Sequence, residues 1–258
     1  MNFERSWFGY TVGAALWTAL AGGCVGHDPG VDRETEFQVF LTKGQAYMER
    51  NKPQQALPAL REAQRIHPDN PALLTTMAMA FSALGQSQSA LDALQRADAL
   101  KPDDPGISHN LGVAYFQEGD LENAELFLTK ATLAADFNNQ ASAWYNLALV
   151  YQRKVQQDRM VAALQEAIRV DPSHVASHKT LAAHYRHIHE LDQERHHLET
   201  IIQLDPGDVD TLELLGINWA ASGRKDQAAS IFRQLMQTNP DLPATQRLRG
   251  RLLEIEQP

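Results

Sequence analysis

Seven of the ten histidines fall between residues 174 and 197: His174, His178, His184, His187, His189, His196 and His197. Imidazoles at that density suggest a zinc-type site, and His174 and His178 have the four-residue spacing that puts two ligands on one helix face. The pattern goes no further. A zincin motif starting at His189-Glu190 needs a second histidine where Gln193 stands. The repeat register described below also sends these side chains to different places: His178 to the packing surface, His187 toward an inner groove, His196 and His197 side by side on a second helix. The set is read as structural or solvated, ahead of a metal site or a pH sensor. There is no GxSxG elbow, no phosphate-binding loop and no dinucleotide fingerprint, and no pair of carboxylates stands out from ordinary helix-surface acids. The chain is therefore expected to be a non-enzyme without metal or cofactor. Its net charge is −9 with Lys and Arg scattered, which argues against nucleic acid, a partner that requires a basic stripe.

The other reactive residue is the single cysteine, Cys24, which excludes an internal disulfide framework or a CxxC site. It follows a stretch from Ser6 to Gly26 without acidic or basic side chains. Trp7 to Leu20 reads as the apolar region of a secretory signal, and Ala21-Gly22-Gly23 supplies the small residues that a signal peptidase cleft requires. This resembles a bacterial lipobox, in which the cysteine is acylated and becomes the mature N-terminus. An uncleaved membrane anchor and an ordinary signal are the alternatives. Residues 1–23 are thus expected to be a signal peptide, and 24–36 an acylated cysteine with a polar Gly/Pro/Asp-rich linker. Val25 rather than Asp after the cysteine resembles outer-membrane sorting.

What must position any functional side chain is a periodic scaffold. Arg65-Ile-His-Pro68, Ala99-Leu-Lys-Pro102, Arg169-Val-Asp-Pro172, Gln203-Leu-Asp-Pro206 and Gln237-Thr-Asn-Pro240 are spaced at 34 residues or, once, at twice that plus two. The extra pair falls near Ala134–Asn139. Six units follow: 37–70, 71–104, 105–140, 141–174, 175–208 and 209–242. Each carries two apolar patterns of helical period around a polar turn. Within a unit, a small residue stands at position 8, between large apolar ones at 7 and 11: Leu111, Gly112 and Tyr115 in the third, Leu215, Gly216 and Trp219 in the sixth. The second helix has a small residue at position 20 (Ala56, Ala90, Ala124, Ala228) and bulk at 24 (Leu60, Leu94, Leu128, Leu164, Leu198, Phe232). Small residues let two helices approach and large ones fill the space between pairs. Met160 and Glu194 break the rule at position 20, and Pro58 lies inside a second helix, so looser packing or a kink is expected there. Leu248, Leu252 and Ile255 give residues 243–258 one apolar face, suited to capping the open end of a stack.

These units are identified as tetratricopeptide repeats. The resemblance implies an all-α, right-handed superhelical solenoid of six repeats plus a capping helix, with a concave groove lined by positions 5, 9, 12 and 13. Those positions hold Leu41 and Met48, then Met79, Val113 and Phe116, then Tyr145, Leu149 and Arg153, and finally Lys179, Arg186 and His187. The groove therefore reads as apolar over its first four units and basic in the fifth, which suits a protein or peptide client. The Lys/Asn carboxylate clamp of chaperone-binding repeats is absent, since position 9 holds Gln45, Met79, Val113, Leu149, Ala183 and Ile217.

The acylation signal, the linker, six repeats, the lengthened third unit at Ala134–Asn139 and Glu213-Leu-Leu-Gly-Ile217 together resemble the type IV pilus biogenesis/stability lipoproteins, PilF/PilW. That resemblance implies an outer-membrane, lipid-anchored protein facing the periplasm that assists localisation and assembly of a pilus secretin. A tight-adherence pilus lipoprotein, a general envelope scaffold and an adaptor of a periplasmic enzyme are the alternatives.

Overall fold

The computed structural model describes residues 32–238 and 244–256. The signal, Cys24 and most of the linker lie outside the described residues. Among those described there are thirteen helices and no strand. Two helices make each repeat: α1 (Arg33–Glu49) with α2 (Pro53–Ile66), α3 (Pro71–Ala83) with α4 (Ser87–Leu100), and α5 (Pro105–Glu118) with α6 (Leu121–Leu133). Then come α7 (Gln140–Arg153) with α8 (Gln157–Val170), α9 (Val175–His187) with α10 (Leu191–Leu204), and α11 (Val209–Ala221) with α12 (Lys225–Thr238). The last is α13 (Ala244–Glu256). Each helix packs on its neighbours in sequence, so the core runs along the stack as overlapping clusters rather than around one centre. This is the all-α tetratricopeptide solenoid expected. No described helix is long and apolar enough to cross a membrane.

The repeat is built from two contacts that recur with the period. The first closes the turn between paired helices. The N–H at position 16 donates to the C=O at position 11 at 2.9 Å in all six units: Lys52 to Tyr47, Gln86 to Phe81, Asp120 to Tyr115, Gln156 to Tyr151, Glu190 to Tyr185 and Arg224 to Trp219. This is the six-to-one bond of a Schellman closure, and it demands a left-handed residue at position 15. Glycine meets that demand at Gly85, Gly119 and Gly223 without steric cost; Asn51, Val155 and His189 adopt it at φ of 53°, 59° and 61°.

The second contact sets the distance between the paired helices. A Cβ added to Gly112 would lie 2.5 Å from Leu128 Cγ, and one added to Gly216 would lie 2.4 Å from Phe232 Cε1. Positions 8 and 24 thus meet directly, backbone against side chain. At position 20, Met160 and Glu194 are as buried as the alanines of the other units. They are accommodated differently. Glu194 accepts from Asn218 Nδ2 at 2.8 Å, giving a polar seam between α10 and α11, whereas Met160 stands at the wall of a cavity. Helix α2 continues through Pro58, which is exposed on the outer face.

One boundary differs from expectation. Helix α1 begins at Arg33, four residues before Phe37, because Arg33-Glu34-Thr35-Glu36 tolerates helix and places two carboxylates on its first turn. The extra pair in the third unit forms the connection at 134–139. From it Phe137 folds back toward the start of α5, its ring 5.8 Å from that of His109. At the far end, Leu248 and Ile255 of α13 pack on the apolar cluster around Phe232 and Leu235 of α12.

Candidate binding groove

The first helices of the repeats line one face of the stack, and three cavities lie along it. The largest, about 600 Å³, opens between α7 and α9. Tyr145 and Leu149 form one wall, Lys179, Ala183 and His187 the other, with Met160 of α8 between them and Gln152, Thr180 and His184 at the edges. A methionine where four of the other units carry alanine occupies more of the space between the helix pairs, and the cavity lies beside it. A second, of about 260 Å³, lies between α3 and α5 and is lined by Met79, Val113, Ala114 and Leu94. A third, of about 480 Å³, has a mixed lining that includes Gln45, Asn70, Pro71, Thr75, Asp104 and Ile107.

The expected groove residues divide among these places. Tyr145, Leu149 and Lys179 share the largest cavity, and Met79 and Val113 share the second. Met79 is 49% exposed, the most open of the apolar set. Met48 is half-buried against the first core cluster. Leu41 does not reach the groove surface. It is 6% exposed within the cluster of Phe37, Leu60 and Leu73, covered where α1 and α3 come into contact. Phe116 is half-buried beneath the Arg153 guanidinium, whose carbon lies 4.4 Å from the ring centroid. That cation–π stack joins α5 to α7 and removes Phe116 from the open part of the groove.

The basic reading of the fifth unit also changes. Lys179 Nζ lies 2.7 Å from Asp208 Oδ2, and Arg186 Nε lies 3.9 Å from Glu194 Oε1. Both cations are matched by carboxylates near the fifth–sixth repeat boundary. The hydrogen bond from Lys179 to Asp208 raises the lysine's pKa, and Asp208's is lowered: burial pushes that carboxyl up, but Lys179 and the Thr211 backbone N–H outweigh it. The fifth unit therefore presents a paired polar surface. Arg153 stacks on the Phe116 ring and donates to the Phe116 carbonyl oxygen at 3.4 Å, and no carboxylate pairs with it among the described residues.

Sequence reasoning missed Gln152, Met160, Thr180 and His184 in the cavity lining; the available signals were Met160, which breaks the small-residue rule, and Gln152, which stands at groove position 12. It also missed how the histidines pair. His174 caps α9, its Nδ1 accepting from the Ser177 N–H at 3.3 Å, and its ring lies 5.4 Å from Tyr145. His178 and His197, both buried, meet at 3.0 Å between their Nδ1 atoms. His109 bridges α5 to α7 through Asn146 at 2.9 Å, and burial holds its pKa below the usual range. No group of three or more His, Cys, Asp or Glu side chains converges as a metal-ligand set among the described residues.

Residues 34–248 match the family described as the Cilia and flagella-associated protein 70 C-terminal domain, a tetratricopeptide-repeat family. No curated protein matches the chain in sequence. Among solved structures the fold is similar to that of pilF from Pseudomonas aeruginosa, with a TM-score of 0.72 and 19% identity over 85% of this chain and 99% of that one. It is similar to PilW, described as a widely conserved type IV pilus biogenesis factor, with a TM-score of 0.69 and 18% identity over 82% and 97%. It is also similar to YrrB, described as a TPR protein with an unusual peptide-binding site, with a TM-score of 0.55 and 17% identity over 74% and 98%. At these identities the likeness is one of fold.

Proposed function

The chain belongs to the tetratricopeptide-repeat family described as the Cilia and flagella-associated protein 70 C-terminal domain, and from that premise we propose that it is a non-enzymatic, lipid-anchored scaffold. Its groove holds an apolar segment of a client protein at the outer membrane, facing the periplasm. The client we infer is a type IV pilus secretin, and the task is to assist its localisation and assembly. The observation that carries the groove reading is the cavity of about 600 Å³ between α7 and α9, walled by Tyr145, Leu149 and Met160. A volume in that range suits one or two large side chains of an inserted segment. The shared fold with pilF and PilW and the lipobox around Cys24 support the choice of client and membrane. Acylation would confine the solenoid to the membrane surface and raise its effective concentration near a client there.

The test is a double replacement, Tyr145→Ala with Leu149→Ala, in the full chain. Each truncated anchor is expected to cost about 2 kcal/mol of client binding. In cells carrying this variant alone, heat-resistant secretin multimers should fall to the level of the gene deletion, with helicity unchanged by circular dichroism. Normal multimers in the deletion strain would exclude the secretin as client. Normal multimers with the variant alone would exclude the α7–α9 cavity as the binding site.

A further inference from the structure

The fifth repeat differs from the others in what joins its two helices. His178 of α9 is 3% exposed and His197 of α10 is 8% exposed. Besides their Nδ1–Nδ1 contact at 3.0 Å, His178 Nε2 lies 3.1 Å from the carbonyl oxygen of Pro172. That carbonyl only accepts, so His178 Nε2 carries a proton and, in the neutral ring, its Nδ1 is an acceptor. His197 Nδ1 must then carry the proton it donates. With both rings neutral, the partners permit this one arrangement. Tyr185 of α9 closes the other side, its ring stacked on His197 at 5.7 Å and 6°.

A second proton is costly on either ring. One added to His178 Nδ1 removes the acceptor and sets two N–H groups against each other. One added to His197 Nε2 preserves the hydrogen bond but places a cation in a buried, aromatic wall. The ionisable groups around the pair offer little help. From α10 comes His196, whose ring is 5.2 Å from His197. From α9 comes His174, and from the end of α8 comes Asp171, whose carboxylate already accepts from the N–H and the hydroxyl of Ser173. Glu194, one turn before His197, is engaged by Asn218 and lies near Arg186.

We propose that the His178–His197 pair is an acid-sensitive joint: protonation loosens α9 from α10 and with it the α9 wall of the groove, which carries Lys179, Ala183 and His187. The joint stands independently of what the groove binds. Its direction follows from linkage. Burial chiefly, with each ring's basic neighbours adding to it, lowers both pKa values, that of His197 to about 4 from the ordinary 6.5. The unfolded chain therefore binds more protons than the folded one between those values, and stability, complete above pH 6.5, is lost as pH falls through that window. For His197 alone the opening equilibrium should rise about twentyfold between pH 7 and pH 5. Ordinary carboxylates stay ionised over that range.

The test is amide hydrogen exchange of the full chain at pH 7 and pH 5, corrected for the intrinsic rate. Amides of α9 and α10 should lose protection about twentyfold or more, while α3 and α4, whose repeat contains no histidine, should not change. The His178→Phe and His197→Phe double replacement should abolish the response. Should that variant fail to fold, imidazole nitrogen titration of the wild-type chain by NMR provides a second measurement: His197 should remain neutral at pH 5, and His178 should titrate below the ordinary range. Titration of either ring near 6.5, or equal loss of protection in α3–α4 and α9–α10, would overturn the proposal. Any effect of His109 would fall on α5 and α7 and so is separable.

Discussion

Replacing Gly112 with alanine tests whether the contact between positions 8 and 24 sets the spacing of each helix pair. Two effects oppose each other. In a helix interior, alanine is favoured over glycine by about 1 kcal/mol. Against this, the new Cβ would lie 2.5 Å from Leu128 Cγ and 3.0 Å from both Leu128 Cδ2 and the Leu128 backbone nitrogen. A rotamer change could relieve the first two contacts, but not the third. Helices α5 and α6 would have to separate, in a core where Leu128 is fully buried, and overpacking of this kind costs about 1–3 kcal/mol. The expected net effect is a loss of up to about 2 kcal/mol, or up to roughly 8 °C in the thermal midpoint by circular dichroism. Gly250 in α13 is the control. A Cβ there meets nothing within 4 Å, so Gly250→Ala should keep only the propensity gain and raise or preserve the midpoint. A Gly112→Ala protein that gains as much stability as Gly250→Ala would mean that the pair spacing is set elsewhere.

Two further outcomes are expected. Val155 is a β-branched residue at φ 59° with its side chain 77% exposed; Val155→Gly should relieve about 1–2 kcal/mol of left-handed strain, partly offset by about 0.5–1 kcal/mol from the freer unfolded chain, so a midpoint at or below wild type would count against strain at that turn. Cys24→Ala should abolish palmitate labelling and move the protein from the membrane to the soluble fraction; continued labelling would place any acyl chain on another residue.

The period of the fold was legible because its determinants are local. The bond from position 16 to position 11 needs only one left-handed residue, so Gly85, Gly119 and Gly223 marked three turns plainly. Asn51, Val155 and His189 adopt the same geometry without the glycine signal, since closure of the turn outweighs the preference of one residue. The groove was less legible because a residue's exposure depends on the distance to the next repeat, which the repeat's own pattern does not encode. Leu41 and Tyr145 occupy the same position in their units. Contact between α1 and α3 buries the first, while the cavity between α7 and α9 leaves the second half-open. Charge was obscured for a different reason: Lys179 and Arg186 look basic on the first helix of their unit, yet Asp208 and Glu194, farther along the same unit and outside the groove positions, match both. Those acids belong with a wider departure. Repeat five is joined internally through His178 and His197 and to repeat six through Glu194 and Asn218, groups whose contacts depend on protonation and direction as well as shape. A position-by-position reading treats each of them as an isolated exception, but His178 shares α9 with Lys179, Ala183 and His187, so the groove wall that those three form depends on how α9 is held against α10.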